Sequence, residues 1–99
     1  MPVKLIFAPE VQQDLDEAYS WYEDRRYGLG EEFINCVDVV IQTILRSPDL
    51  YSKIYKEYRR ALIRRFPFAI FYELIDNKAI IYSVFHTSQN PEKWKNRLP

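Results

Sequence analysis

The sequence is poor in the residues that build covalent or metal scaffolds: it has one cysteine, Cys36, and one histidine, His86. A lone cysteine excludes an internal disulfide and makes a reduced, cytoplasmic setting the default expectation. With no cysteine pair, no second histidine and no carboxylates clustered beside His86, neither a metal site nor another cofactor is expected. Long apolar runs are also missing. Met1-Pro2-Val3-Lys4-Leu5-Ile6-Phe7 is too short for a secretory signal or a membrane span, so no membrane association is expected. The two glycines fall in one tetrapeptide and the six prolines are scattered, which leaves no linker, repeat or low-complexity tract. At 99 residues the chain fits one domain, 1–99.

Net charge is lacking too, with fourteen Lys and Arg against fourteen Asp and Glu. Neutrality argues against a general nucleic-acid binder, which needs surplus cations for phosphates. The zero is a sum of opposites. Residues 1–50 carry four basic and ten acidic side chains, a net of −6, and residues 51–99 carry ten and four, a net of +6. What the chain does have is apolar bulk, 47% of its residues with 16% aromatic, enough to build a core and to exclude disorder.

Spacing assigns the elements. Val3 to Phe7 reads as a short strand, and Pro9 suits the first turn of a helix. Val11, Leu15, Ala18 and Tyr22 recur at helical intervals to about Arg26, with Gln12, Asp14, Asp16, Glu17, Glu23 and Asp24 assigned to a solvated face. Of Tyr19, Trp21 and Tyr22, at least one must stay at the edge of the core or exposed. Tyr27-Gly28-Leu29-Gly30 turns the chain, and Phe33, Val37, Val40 and Ile44 start a second helix. Ile34, Ile41 and Leu45 widen its apolar stripe, so it is expected to be the more buried, and Ser47-Pro48-Asp49 ends it. Four strands follow at Lys53–Tyr55, Arg59–Phe66, Phe68–Ile75 and Ala79–His86. Asn77, centring the last turn in a left-handed conformation, sets Ile75 opposite Ala79, Tyr72 opposite Tyr82 and Phe68 opposite His86. One hairpin face is then Phe68, Ile70, Tyr72, Leu74, Ile80, Tyr82, Val84 and His86. The expected class is α+β, a helical hairpin on one face of an antiparallel sheet.

The basic surplus concentrates in Arg59-Arg60-Ala61-Leu62-Ile63-Arg64-Arg65. As a strand this puts Arg60 and Arg64 on one side, Arg59 and Arg65 on the other. Two readings stand: a surface for phosphate or an acidic partner, joined by Lys93, Lys95 and Arg97, or an edge strand charged against aggregation. His86 fits either a structural role, hydrogen-bonding the loop after it, or acid–base work. Trp94 is expected to fold back and cap the core.

Four segments, in order and covering nearly the whole chain, resemble the RelE/ParE superfamily of bacterial type II toxins. They are Asp14-Leu15-Asp16-Glu17-Ala18-Tyr19-Ser20-Trp21-Tyr22, Gly28-Leu29-Gly30-Glu31-Glu32-Phe33, Arg60 through Tyr72, and Val84-Phe85-His86-Thr87 with Pro91 and Trp94. The resemblance implies the order βααβββ(β) and a toxin of a plasmid-stabilisation module held inactive by a cognate antitoxin. RelE-like members cleave messenger RNA on the ribosome; here the candidate catalytic residues are Arg60, Arg64, Arg65 and His86. ParE-like members are associated with poisoning DNA gyrase. RelE-type ribonucleases typically carry an arginine where this chain has Ala69, and many relatives carry arginines where it has Thr87-Ser88-Gln89-Asn90. An alanine cannot stabilise charge developing on phosphate, a loss of about 3 kcal/mol or more. The expectation is therefore a non-enzymatic, ParE-like toxin without sequence-specific nucleic-acid binding. The alternatives are the ribosome-dependent ribonuclease and a non-toxic relic that still binds antitoxin. Residues expected to meet a partner or target are Arg59, Arg60, Arg64, Arg65, Tyr72, His86 and Trp94.

Overall fold

Helical spacing in the acidic half and alternation in the basic half produce two packed layers. The computed structural model describes residues 3–99; Met1 and Pro2, part of the domain expected over 1–99, lie outside the described residues. The elements are β1 (Lys4–Phe7), α1 (Val11–Arg25), α2 (Leu29–Arg46), β2 (Lys53–Tyr55), β3 (Tyr58–Leu62), β4 (Phe68–Ile75), β5 (Lys78–His86) and α3 (Pro91–Lys95). They form one five-stranded sheet in the order β1-β5-β4-β3-β2, with the α1–α2 hairpin carrying the chain from one sheet edge to the other. The sheet is mixed rather than antiparallel, because β1 pairs parallel to β5.

The second helix is the more buried, as its wider stripe implies. It buries Phe33, Val37, Val40, Ile41 and Ile44, whereas α1 buries only Val11 and Ala18. They meet Ala61, Ile70, Tyr72, Ala79, Ile81 and Val84 of the sheet. Gly28, at φ +86°, supplies the left-handed residue that reverses the chain, and the Glu23 carboxylate accepts from the N–H groups of Gly28 at 2.9 Å and Gly30 at 3.0 Å. Gly30 is needed for another reason: a Cβ there would lie 2.7 Å from the Tyr19 carbonyl oxygen.

The β4–β5 turn holds two residues, and Asp76 rather than Asn77 takes the left-handed conformation, with φ 54°. Near the turn, Leu74 therefore faces Ala79 and Tyr72 faces Ile81. A bulge between these pairs and Phe71↔Ser83 adds the missing residue, so Phe68 faces His86 as expected. The β4 half of the predicted core face is correct. On β5, Ala79 and Ile81 replace Ile80 and Tyr82 beside Val84, because two residues of β5 oppose one of β4.

Beyond Ile81 the short β1 no longer covers the edge of β5. Asp14 fills that place: its carboxylate accepts from the Val84 N–H at 3.1 Å and from both terminal nitrogens of Arg97, at 3.0 and 2.9 Å. Arg97 also donates to the Tyr82 carbonyl at 3.1 Å. Asp14 is thus no part of a solvated face, since its side chain is only 10% exposed. Asp14 and Arg97 hold the tail across the sheet face opposite the hairpin. There Trp94 stacks on Phe71, ring centroids 4.6 Å apart, and the Tyr58 hydroxyl donates to the Pro99 carbonyl at 3.0 Å. Trp94 therefore caps the second face of the sheet and not the helix-covered core.

Two substitutions test these ties. Asp14→Ala strands Arg97 and the Val84 N–H, and urea unfolding is expected to show a loss of about 3 kcal/mol; a loss below about 0.5 kcal/mol, the size of an exposed pair, would contradict the assignment. Gly30→Ala ordinarily gains up to about 1 kcal/mol inside a helix. Here the Tyr19 carbonyl makes it destabilising, read as a lower thermal midpoint.

Candidate interaction surface

The seven side chains predicted to meet a partner divide by where the strands place them. Tyr72 is fully buried, its hydroxyl donating to the Pro48 carbonyl at 2.8 Å and its ring edge-on to Tyr51. It is a core residue, unavailable to a partner. Arg59 pairs with Tyr72 in the ladder and so lies on the helix side. Its guanidinium donates to the carbonyls of Tyr51 at 2.6 Å and Asp49 at 3.3 Å, fastening the α2–β2 connection instead of presenting a free charge.

The strand predicted over Arg59–Phe66 stops at Leu62. Arg65 adopts φ 74°, which breaks the extended chain, so Arg64 and Arg65 sit on a turn and the alternation expected for them fails. Arg65 pairs with Glu32 at 2.8 Å, and Glu32 pairs with Arg26 at the same distance. Arg65 first, and Arg26 after it, hold the Glu32 carboxyl below the usual carboxylate range. Arg60 and Arg64 are exposed and make no ion pair among the described residues. Of the tail cations, Arg97 is spent on Asp14, while Lys95 lies over the rings of Tyr55 and Trp94.

His86 does what the structural reading asks. Its Nδ1 accepts from the Ser88 N–H at 3.1 Å and lies 2.7 Å from the Ser88 hydroxyl, which leaves the proton of the neutral ring on Nε2. The ring stands edge-on to Phe68, centroids 5.2 Å apart, at the rim of a groove of about 380 Å³ that includes Glu17, Trp21 and Gln89. Phe68 also packs on Phe33 of α2, so His86 belongs to the helix side. Arg60, paired with Phe71 beneath Trp94, belongs to the other side. The sheet thus separates two members of the candidate catalytic set.

Asp14 and Glu23 are the residues that sequence reasoning passed over. A signal for Asp14 was present: it falls three residues after Val11 and four before Ala18, on the buried stripe of α1. Among the described residues no group of three or more His, Cys, Asp or Glu side chains is placed to hold a metal ion, and no helix is long and apolar enough to cross a membrane.

Burial of Tyr72 has a consequence at high pH. Desolvation pushes its hydroxyl from 10.0 up to about 12. The unfolded chain releases that proton first, so the contribution of Tyr72 to stability is complete below about pH 10 and is lost as pH rises toward 12. Tyr72→Phe is expected to flatten the alkaline limb of the stability profile, measured by urea unfolding across pH 9 to 12; an unchanged limb would contradict this.

Comparison with known proteins agrees with the geometry. The family model of the ParE toxin of type II toxin-antitoxin systems, parDE, matches residues 5–91. Toxin ParE2 from two strains of Mycobacterium tuberculosis, CDC 1551 / Oshkosh and ATCC 25618 / H37Rv, is 32% identical over 82 residues, spanning 82% of this chain and 78% of the relative. A solved chain of the chromosomal ParDE TA system from P. aeruginosa superposes with a TM-score of 0.77 at 12% identity, covering 87% of this chain and 97% of that one; it shares the fold. The matched family model and the identity to Toxin ParE2 together establish that this chain belongs to the ParE toxin family of type II toxin-antitoxin systems.

Proposed function

We propose that this ParE-family toxin acts in the cytoplasm by binding a protein target, DNA gyrase, and not by cutting RNA. Membership of a toxin-antitoxin family implies a cognate antitoxin, which in this reading silences the toxin by covering it. The observation that carries the reading is the separation of Arg60 from His86 by the thickness of the sheet. A phosphoryl-transfer site needs its charge donors and its proton carrier gathered within hydrogen-bond reach of one phosphorus.

Two other arginines support the same conclusion. Arg59 is bound to backbone carbonyls and Arg65 to Glu32. Ala69 lies between Leu62 and Phe85 in the ladder and is 1% exposed. The alanine side chain there carries no donor for a phosphate.

Gyrase supercoiling assays test this. Added protein is expected to inhibit supercoiling and leave cleaved DNA trapped on the enzyme. Unaltered supercoiling at large molar excess would remove the gyrase reading. In that event, arrested growth on induction would return the case to the ribosome, and unarrested growth would identify a toxin that has lost its activity.

A further inference from the structure

The loop after β5 brings a hydroxyl against the single imidazole of the chain. The Ser88 N–H donates to His86 Nδ1 at 3.1 Å, which requires that nitrogen to carry a lone pair and no proton. The Ser88 hydroxyl lies 2.7 Å from the same nitrogen, so at this contact it donates. Its O–H bond is polarised toward a base free to take the proton, the contact that activates a weak alcohol nucleophile. Ser20, Ser47 and Ser52 are exposed, as Ser88 is, but the chain has no second histidine to serve them.

Ser88 and His86 both line the groove of about 380 Å³ at this end of the sheet, within the lower range of small-molecule sites, roughly 300 to 1,000 Å³. Trp21, Phe68, Val84 and Phe85 give it apolar walls. Trp21 is 56% exposed, and the Arg25 guanidinium holds it in place, lying 3.2 Å over the indole and donating to the Trp21 carbonyl at 3.3 Å. Phe68 braces the imidazole edge-on. Two carboxylates line the same groove, Asp14 and Glu17. Arg97 answers Asp14, which leaves Glu17 to favour an imidazolium at His86 and to repel an anionic reactant.

We propose that Ser88 is an acyl-acceptor site, with His86 as its general base and an activated ester bearing an apolar acyl group as the donor. The Ser88 Oγ attacks the carbonyl carbon as its proton passes to Nδ1. The bond from that carbon to the leaving alcohol breaks, the departing oxygen takes the proton from Nδ1, and an ester stays on Ser88 beside a neutral imidazole. The acyl group seats against Trp21, Phe68 and Phe85. A phosphoryl donor fits less well, because its charged oxygens meet Glu17 in the same groove. The Ser88 N–H is held by His86 and not aimed at a developing oxyanion, so Ser88 is a site of modification and not the centre of a turning-over esterase. This chemistry is independent of which target the toxin binds.

The purified full chain, treated with the N-hydroxysuccinimide esters of acetic and hexanoic acid and mapped by mass spectrometry, tests this. Ser88 is expected to gain the ester at least roughly tenfold faster than Ser20, Ser47 or Ser52, a modest share of what general-base catalysis supplies. Hydroxylamine is expected to release it while lysine amides remain. His86→Asn keeps an oxygen to accept from the Ser88 N–H but cannot take a proton, and is expected to lower Ser88 to the rate of the other serines. Unfolding the parent chain in urea is expected to do the same. Relative to those serines, Ser88 is expected to prefer the hexanoyl ester, and Trp21→Ala to erase the preference. Ser88 reacting no faster than the other serines, keeping its lead in His86→Asn or in urea, or showing no preference between the two esters overturns the proposal.

Discussion

The bidentate pair between Asp14 and Arg97 ties α1, the free edge of β5 and the C-terminal tail together at one point. β1 has four residues and β5 has nine, so one side of β5 runs out of partner at Ile81. An open edge of that kind invites wrong pairing. Asp14 takes the Val84 N–H and Arg97 takes the Tyr82 carbonyl, and the two charges then satisfy each other. Desolvating an ion pair costs several kcal/mol per ion unless its hydrogen bonds are complete. Here the carboxylate receives three and the guanidinium gives three, which makes the pair supportable. Arg97 also crosses the Phe85 ring, and that path delivers Trp94 to Phe71 and Pro99 to Tyr58 on the sheet's second face.

This arrangement sorts the charges by function. The cations at positions 59, 65 and 97 are held by carbonyls or carboxylates that shape the fold. Arg60 and Arg64 make no ion pair among the described residues and lie beside the exposed Leu62 at the end of β3. Zero net charge, which at first argued only against nucleic acid, resolves into an acidic helical layer and a basic sheet with a small set of available charges. Such a division suits recognition of a chosen partner better than general attraction to phosphate.

The parts of the fold governed by local spacing were readable in the sequence. Both helices and the glycine turn between them follow from intervals of apolar residues and from turn chemistry, whereas Phe68 meets His86 only because a bulge offsets a turn one residue tighter than the Asn77-centred one. The bulge near Tyr82 was not readable, because alternation records which side a residue prefers and not where one extra residue is inserted. The parallel docking of β1 depends on partners some seventy positions away. Arg64 and Arg65 looked like strand because β-branched and aromatic neighbours surround them, yet the left-handed Arg65 ends the strand early. The candidate site was legible as a list of arginines. Which of them are free was not, since the carbonyls of Asp49 and Tyr51 and the carboxylate of Glu32 that occupy the others come from distant loops and helices.

The central claim is that this toxin works by contact with a protein and not by phosphoryl transfer at its sheet. The most direct measurement is primer extension on translated messages after induction, run beside a stain for chromosomal double-strand breaks. The account predicts uncut messages together with broken DNA. Messages cleaved on the ribosome, with that cleavage abolished in an Arg64→Ala/Arg65→Ala variant and DNA left intact, would contradict it.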